Sequence, residues 1–113
     1  MDCLFCKIAA GQLPADKVFE NDAVLAFRDI HPKAPTHILV IPKQHFSSIL
    51  DFGSQDGTLL AEIVKSIQAV AKQSGLTEKG FRVVTNTGPD AGQAVAHVHF
   101  HVLGGRGLTW PPG

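Results

Sequence analysis

Residues 97–101 read His-Val-His-Phe-His, three histidines at alternate positions. The chain has six histidines, so half of them fall within this short run. Side chains alternate faces along a β-strand. A strand here would line His97, His99 and His101 on one face, about 6.5–7 Å apart, with Val98, Phe100 and Val102 turned inward. Free imidazole titrates near pH 6.5, so neutral rings are plentiful at pH 7. Such a row offers a nucleophile, a proton carrier and a phosphate-binding cation in one place. A packed strand has no structural use for it. The rival chemistry is a metal, since x-His-x-His on a strand is also a ligand spacing, although no carboxylate stands nearby to complete a catalytic zinc site. The segment just upstream, Asn86-Thr87-Gly88-Pro89-Asp90-Ala91-Gly92-Gln93-Ala94, is small and glycine-bearing and could aim backbone N–H groups at an anion. Phosphate beside imidazole points to attack on phosphorus.

A second candidate lies at the other end. Cys3 and Cys6 are spaced C-x-x-C. With no secretory leader in the opening residues, the spacing favours metal ligation or redox chemistry in a reducing cytoplasm over a structural disulfide. A lone C-x-x-C is a weak signal, and two free thiols remain the bland alternative.

The elements that must position these residues are legible in outline. Leu4 to Ala10 reads as a short helix with Leu4, Ile8 and Phe5 inward. Lys17 to Glu20 and Ala23 to Asp29 read as a hairpin about Asn21-Asp22. His31 falls in a proline loop and is expected to be solvated. His37-Ile38-Leu39-Val40-Ile41-Pro42 reads as an apolar strand stopped by proline. From about Asp56 to Ser74, Leu60, Ile63, Val64, Ile67 and Ala71 recur at helical spacing, with Leu59 and Val70 widening the stripe. Ser54 or Asp56 could cap this helix, and Gly75 suits its end. Phe81 to Thr87 reads as a strand before the histidine strand, which Gly104-Gly105-Arg106-Gly107 breaks. The whole is an α+β domain of about five mostly antiparallel strands with one short and one long helix.

The 113 residues make one domain of ordinary size, spanning 1–113 with a tail at 108–113. Ten basic residues balance ten acidic ones. That balance argues against a duplex nucleic acid or an anionic membrane as partner, since both call for a basic footprint. No apolar run approaches the length of a membrane span.

His97-Val98-His99-Phe100-His101-Val102-Leu103 resembles the His-φ-His-φ-His-φ-φ pattern of the histidine triad superfamily of nucleotide hydrolases and transferases. Phe27-Arg28-Asp29-Ile30, the run from Ala34 to Lys43, Gly92-Gln93 and the closing Trp110-Pro111-Pro112-Gly113 are similar to its Hint branch, the purine nucleoside phosphoramidases. The resemblance covers essentially the whole chain. It implies a homodimer with a continuous sheet and a covalent nucleotidyl-histidine intermediate on His99, formed with no metal at the phosphorus. It also implies that His101 binds the phosphate, that His37 supports the central histidine, and that the backbone at His97 orients the His99 ring. Asp29 would accept from the ribose, and Ile30, Phe5, Ile8 and Phe27 would wall an apolar cleft for a purine of AMP or GMP type. Asn86, Gly92, Gln93 and Ala94 would stand on the phosphate side, and Trp110 would reach the partner's site. Ala94 departs from the branch, which commonly has a serine there to assist the leaving amine; Ala96 replaces a common aromatic. Some superfamily members, galactose-phosphate uridylyltransferases among them, hold a structural zinc with a cysteine pair, a histidine like His45 and the first histidine of the triad, so Cys3, Cys6, His45 and His97 form a candidate zinc set. The alternatives to a phosphoramidase are a dinucleoside polyphosphate hydrolase of the Fhit type and a nucleotide-binding adaptor with vestigial activity.

Overall fold

The computed structural model describes residues 3–113. Five strands form one sheet: β1 (Lys17–Glu20), β2 (Val24–Arg28), β3 (Thr36–Pro42), β4 (Phe81–Val84) and β5 (Phe100–Gly104). Their spatial order is β1-β2-β3-β5-β4, and every neighbouring pair is antiparallel. The hairpin between β1 and β2 is closed by Asn21, whose Oδ1 accepts from the N–H groups of Ala23 and Val24 at 2.9 and 2.8 Å.

Two helices cover opposite faces. The longer, α2 (Gly57–Gln73), packs Ile63, Ile67, Val70 and Ala71 against Val24, Ala26, Ile38, Val40 and Val102. The six-residue α1 (Leu4–Ala9) packs Phe5 and Ile8 against Leu25, Phe27, Leu39 and Ile41. Consecutive residues of β2 and β3 therefore serve different cores, which is why β3 is apolar from Ile38 to its end although it is antiparallel. Ser74 caps α2 and Gly75 follows at φ +70°, the left-handed stop its position suggested.

Several local expectations are corrected. Leu4 is 48% exposed, because six residues of α1 present only the Phe5–Ile8 side to the sheet. Val64 is 53% exposed, so the inward stripe of α2 is narrower than its apolar pattern. Asp56 precedes α2 but its carboxylate turns back to accept from the Gly53 N–H at 2.8 Å instead of capping the helix. Strand β4 ends at Val84, and Thr85 to Thr87 leave the sheet. No helix among the described residues is long and apolar enough to cross a membrane.

Candidate active site

The α1 side of the sheet carries the histidines. In register, Leu39 stands opposite His101 and His37 opposite Leu103, which sets His37 and His101 diagonally on one face of neighbouring strands. Their rings lie 5.1 Å apart, and the rings of His99 and His101 lie 5.0 Å apart. Phe5 meets the rings of both His97 and His99 edge-on, at 6.0 and 5.1 Å. All three triad imidazoles thus share the α1 side, but only His101 belongs to regular strand, because the chain bends over residues 95–97 before β5 begins.

Hydrogen bonds fix the ring protons. The Nδ1–H of His99 donates to the His97 carbonyl at 2.8 Å, leaving a lone pair on Nε2. Around this ring the main chain is held twice more: Thr85 Oγ1 donates to the His99 carbonyl at 2.9 Å, and the Val98 N–H donates to the Phe46 carbonyl at 2.6 Å. The Lys33 backbone N–H donates to His37 Nδ1 at 3.0 Å, so the proton of neutral His37 sits on Nε2. That Nε2–H points to His101 Nδ1 at 2.8 Å, with Asp29 Oδ2 a second acceptor at 3.5 Å. The proton of His101 is then on its own Nε2. His37 therefore contacts His101, where the family resemblance implied support of the central His99; the diagonal register, invisible in the sequence, decides which ring it meets. Burial pushes His37 below the ordinary imidazole range. Burial first, and the nearby His99 and His37 after it, push His101 down to about 4. At neutral pH the ligand-free site thus presents His101 as a neutral N–H donor.

The sequence-named binding residues scatter around this pair. Asp29 Oδ1 accepts from the His31 N–H at 2.7 Å. Ile30 is 87% exposed, whereas Phe5, Ile8 and Phe27 are buried in the α1 cluster. The glycine loop differs from expectation. Gly88 N–H donates to Gln93 Oε1, Gly92 N–H to the Pro89 carbonyl and Gln93 N–H to the Gly88 carbonyl. These donors close the loop on itself instead of facing an anion, and Gln93 Nε2 is spent on the Ser47 and Val95 carbonyls. Asn86 lines a groove of about 790 Å³ with Arg82, Asp90, Arg106 and Trp110, and no triad histidine lines it. Trp110 is 80% exposed beneath Arg82, whose guanidinium carbon lies 5.8 Å from its ring centre.

Cys3, Cys6, His45 and His97 converge, with one donor atom from each within 4.8 Å of the others. Cys3 Sγ and Cys6 Sγ lie 3.3 and 3.5 Å from His97 Nδ1, Cys6 Sγ lies 3.3 Å from His45 Nδ1, and the two Nδ1 atoms are 3.2 Å apart. A tetrahedron with metal–sulfur bonds of about 2.3 Å and metal–nitrogen bonds of about 2.05 Å has S–N edges near 3.5 Å and N–N edges near 3.3 Å. The donor set fits that size. The tautomer fits too: His97 Nε2–H donates to the Pro42 carbonyl at 2.9 Å, which turns the Nδ1 lone pair toward the cluster. Asp29, His37 and His101 also lie within 4.8 Å of one another, but the proton on His37 Nε2 makes that set a hydrogen-bond chain instead of a cation site.

Residues 10–108 match the HIT domain. The chain is 52% identical to a HIT-like protein of Synechococcus elongatus over 99% of its own length and 97% of that protein. It is 44% identical to a 14 kDa zinc-binding protein of Brassica juncea, covering 99% of this chain and all of that one. The crystal structure of a HIT family hydrolase from Legionella pneumophila superposes with a TM-score of 0.97 at 53% identity, over 99% of this chain and 100% of the other. A sheet of this topology with His97, His99 and His101 on its α1 side, matched over most of its length, belongs to the histidine triad (HIT) family.

Proposed function

We propose that the chain is a nucleotidyl hydrolase that cleaves purine nucleoside phosphoramidates through a covalent nucleotidyl-His99 intermediate. One observation carries this reading: His99 donates Nδ1–H to the His97 carbonyl, so its neutral ring carries the lone pair on Nε2, beside a His101 whose own Nε2 bears a proton. The first ring is a nucleophile held in its reactive tautomer, and the second is a donor for the oxygens of the phosphoryl group under attack. His99 Nε2 forms the bond to phosphorus and the P–N bond breaks, the leaving nitrogen taking a proton from solvent so that it departs as the neutral amine. Water then cleaves the P–Nε2 bond and releases the nucleotide. The Legionella hydrolase supports the reaction class.

In this reading Ile30 offers an exposed apolar platform for the base of an AMP- or GMP-type nucleotide, and Asp29 accepts from the ribose. Cys3, Cys6, His45 and His97 hold a structural zinc that ties α1 to the triad segment, and the chemistry at phosphorus needs none. The zinc-binding Brassica relative and the donor distances support it. Two copies pair through the outer edge of β4 and the adjoining part of α2, where Phe81, Val83 and Val64 are exposed, and Trp110 walls the partner's site. Two cysteines not joined by a disulfide suit a reducing cytoplasm.

The test is trapping. Incubated with a radiolabelled adenosine phosphoramidate and quenched within one turnover, the wild type should carry label on protein. His99→Gly should carry none while binding AMP within about tenfold of wild type, since the cleft and Asp29 remain. Hydrolysis at a near-normal rate by His99→Gly would refute the covalent route.

A further inference from the structure

Beyond the triad itself, the loop on either side of Lys33 is tied to the residues just after β5. Arg106 Nη2 donates to the Lys33 carbonyl at 2.8 Å, and the N–H of the same residue donates to His37 Nδ1 at 3.0 Å. Arg106 reaches Lys33 because Gly105 takes φ +91° and passes so close to Pro35 that an added Cβ would lie 2.9 Å from Pro35 Cβ. Only glycine accepts both that backbone and that approach. The Lys33 side chain does not compete for its own carbonyl, since its Nζ donates to the His31 carbonyl at 2.8 Å.

We propose that Arg106 is a positioning residue of the histidine site: by anchoring the backbone of Lys33, and so the N–H that reaches His37, it keeps the proton of His101 on Nε2. Arg106 holds the Lys33–Ala34 peptide by its carbonyl; across the Lys33 Cα the preceding peptide donates its N–H to His37 Nδ1, and His37 Nε2–H donates to His101 Nδ1. From the Lys33 N–H onward each hydrogen bond has a fixed direction, so reversing His37 breaks its contacts on both sides; Asp29 Oδ2, a second acceptor for His37 Nε2–H at 3.5 Å, favours the same direction. If loss of Arg106 lets the Lys33 backbone shift and withdraw its N–H, His37 can place its proton on Nδ1 instead. Its Nε2 then accepts, and His101 must donate through Nδ1 to keep the contact, which turns a lone pair toward the incoming phosphate. That arrangement repels an anion where the other binds it. Arg106 thus biases a tautomer balance two residues removed from it without touching a ligand. Its function in turnover rests on the reading that His101 serves the phosphate, but the tautomers can be read with no substrate present.

The experiment is ¹⁵N NMR of the histidine ring nitrogens in the full-length ligand-free protein at neutral pH. The wild type should show His37 and His101 protonated on Nε2 and His99 on Nδ1, with a scalar coupling across the hydrogen bond from the Lys33 amide nitrogen to His37 Nδ1. In Arg106→Ala and Arg106→Gln that coupling should weaken or vanish, and His37 and His101 should move toward mixed tautomers. His99, anchored on the His97 carbonyl, should not change and reports that the fold is intact. Arg106→Lys, which keeps a cationic donor, should restore much of the wild-type pattern. With substrate, Arg106→Ala should lose about tenfold in kcat, less than the ~10²-fold of removing one transition-state donor outright. A wild-type His37 protonated on Nδ1, or unchanged His37 and His101 signals in both variants, would overturn the role of Arg106. If the tautomers respond as stated but no nucleotidyl-His99 can be trapped, the proposed reaction fails and the positioning chain stands.

Discussion

Acid should cost this protein stability through His101 in particular, and His101→Asn should remove that cost. Burial first, then the nearby His99 and His37, push the folded-state imidazole from its ordinary 6.5 to about 4. Between those two values the unfolded chain binds a proton that the folded chain refuses. Unfolding is therefore favoured progressively as the pH falls through the window; above about 6.5 neither state binds the proton and the penalty is absent. Each unit of pH is worth about 1.4 kcal/mol, so the whole window amounts to about 3 kcal/mol. That is a large part of the roughly 5–15 kcal/mol that holds an ordinary domain folded. Urea unfolding near neutral pH and near the lower end of the window, followed for wild type and His101→Asn, measures the difference. All other ionisable groups are common to the two proteins, so their contributions largely cancel. The wild type should lose more stability than the variant on acidification. Parallel losses, or a larger loss in the variant, would refute the assignment of a buried, neutral His101.

Other outcomes follow from the packing and from the cluster. A Cβ on Gly104 would lie 2.7 and 2.9 Å from the two methyl carbons of Leu76. Gly104→Ala should therefore cost about 1–3 kcal/mol, and the double variant with Leu76→Ala should be less destabilised than the sum of its parts; strict additivity in urea unfolding would mean the two do not touch. Metal analysis of protein purified without a polyhistidine tag should find stoichiometric zinc, and chelation should lower the melting temperature. Trace zinc, with an unchanged melting temperature in the Cys3→Ser/Cys6→Ser variant, would make these free thiols only. Ala94→Ser should raise kcat for alkylamine leaving groups of high pKa and barely alter good ones. Equal acceleration of both in steady-state assays would separate residue 94 from leaving-group protonation.

The parts of the molecule readable in the sequence are those whose cause is local. Asn21 in its turn and Gly75 after α2 appear where their chemistry suggested, whereas only the family resemblance implied that Cys3 and Cys6 would meet His45 and His97. What the sequence hides is pairing across the sheet. Alternation puts His101 on a face, but only the β3–β5 register says that His37 meets it and leaves His99 alone. A glycine-rich loop suggests free N–H groups, yet the Gln93 side chain closes it, a choice set by where Ser47 and Val95 lie in space. Thr85 carries no pattern in the sequence, and its hydroxyl matters only because the chain beyond β4 passes the His99 carbonyl. Leu4 misled because a helix of six residues has room for one buried side.

The two-sided β3 strand has a consequence for errors in folding. Ile38 and Val40 belong to the α2 core, while His37, Leu39 and Ile41 face α1. A slip of one residue against β2 or β5 would exchange the two sets, driving an imidazole into the larger core and withdrawing two aliphatic side chains from it. The cost of that mistake falls on stability before any chemistry is attempted. Folding here works as an inspection step: a chain that has closed its core has, by the same pairing, already aligned His37 with His101.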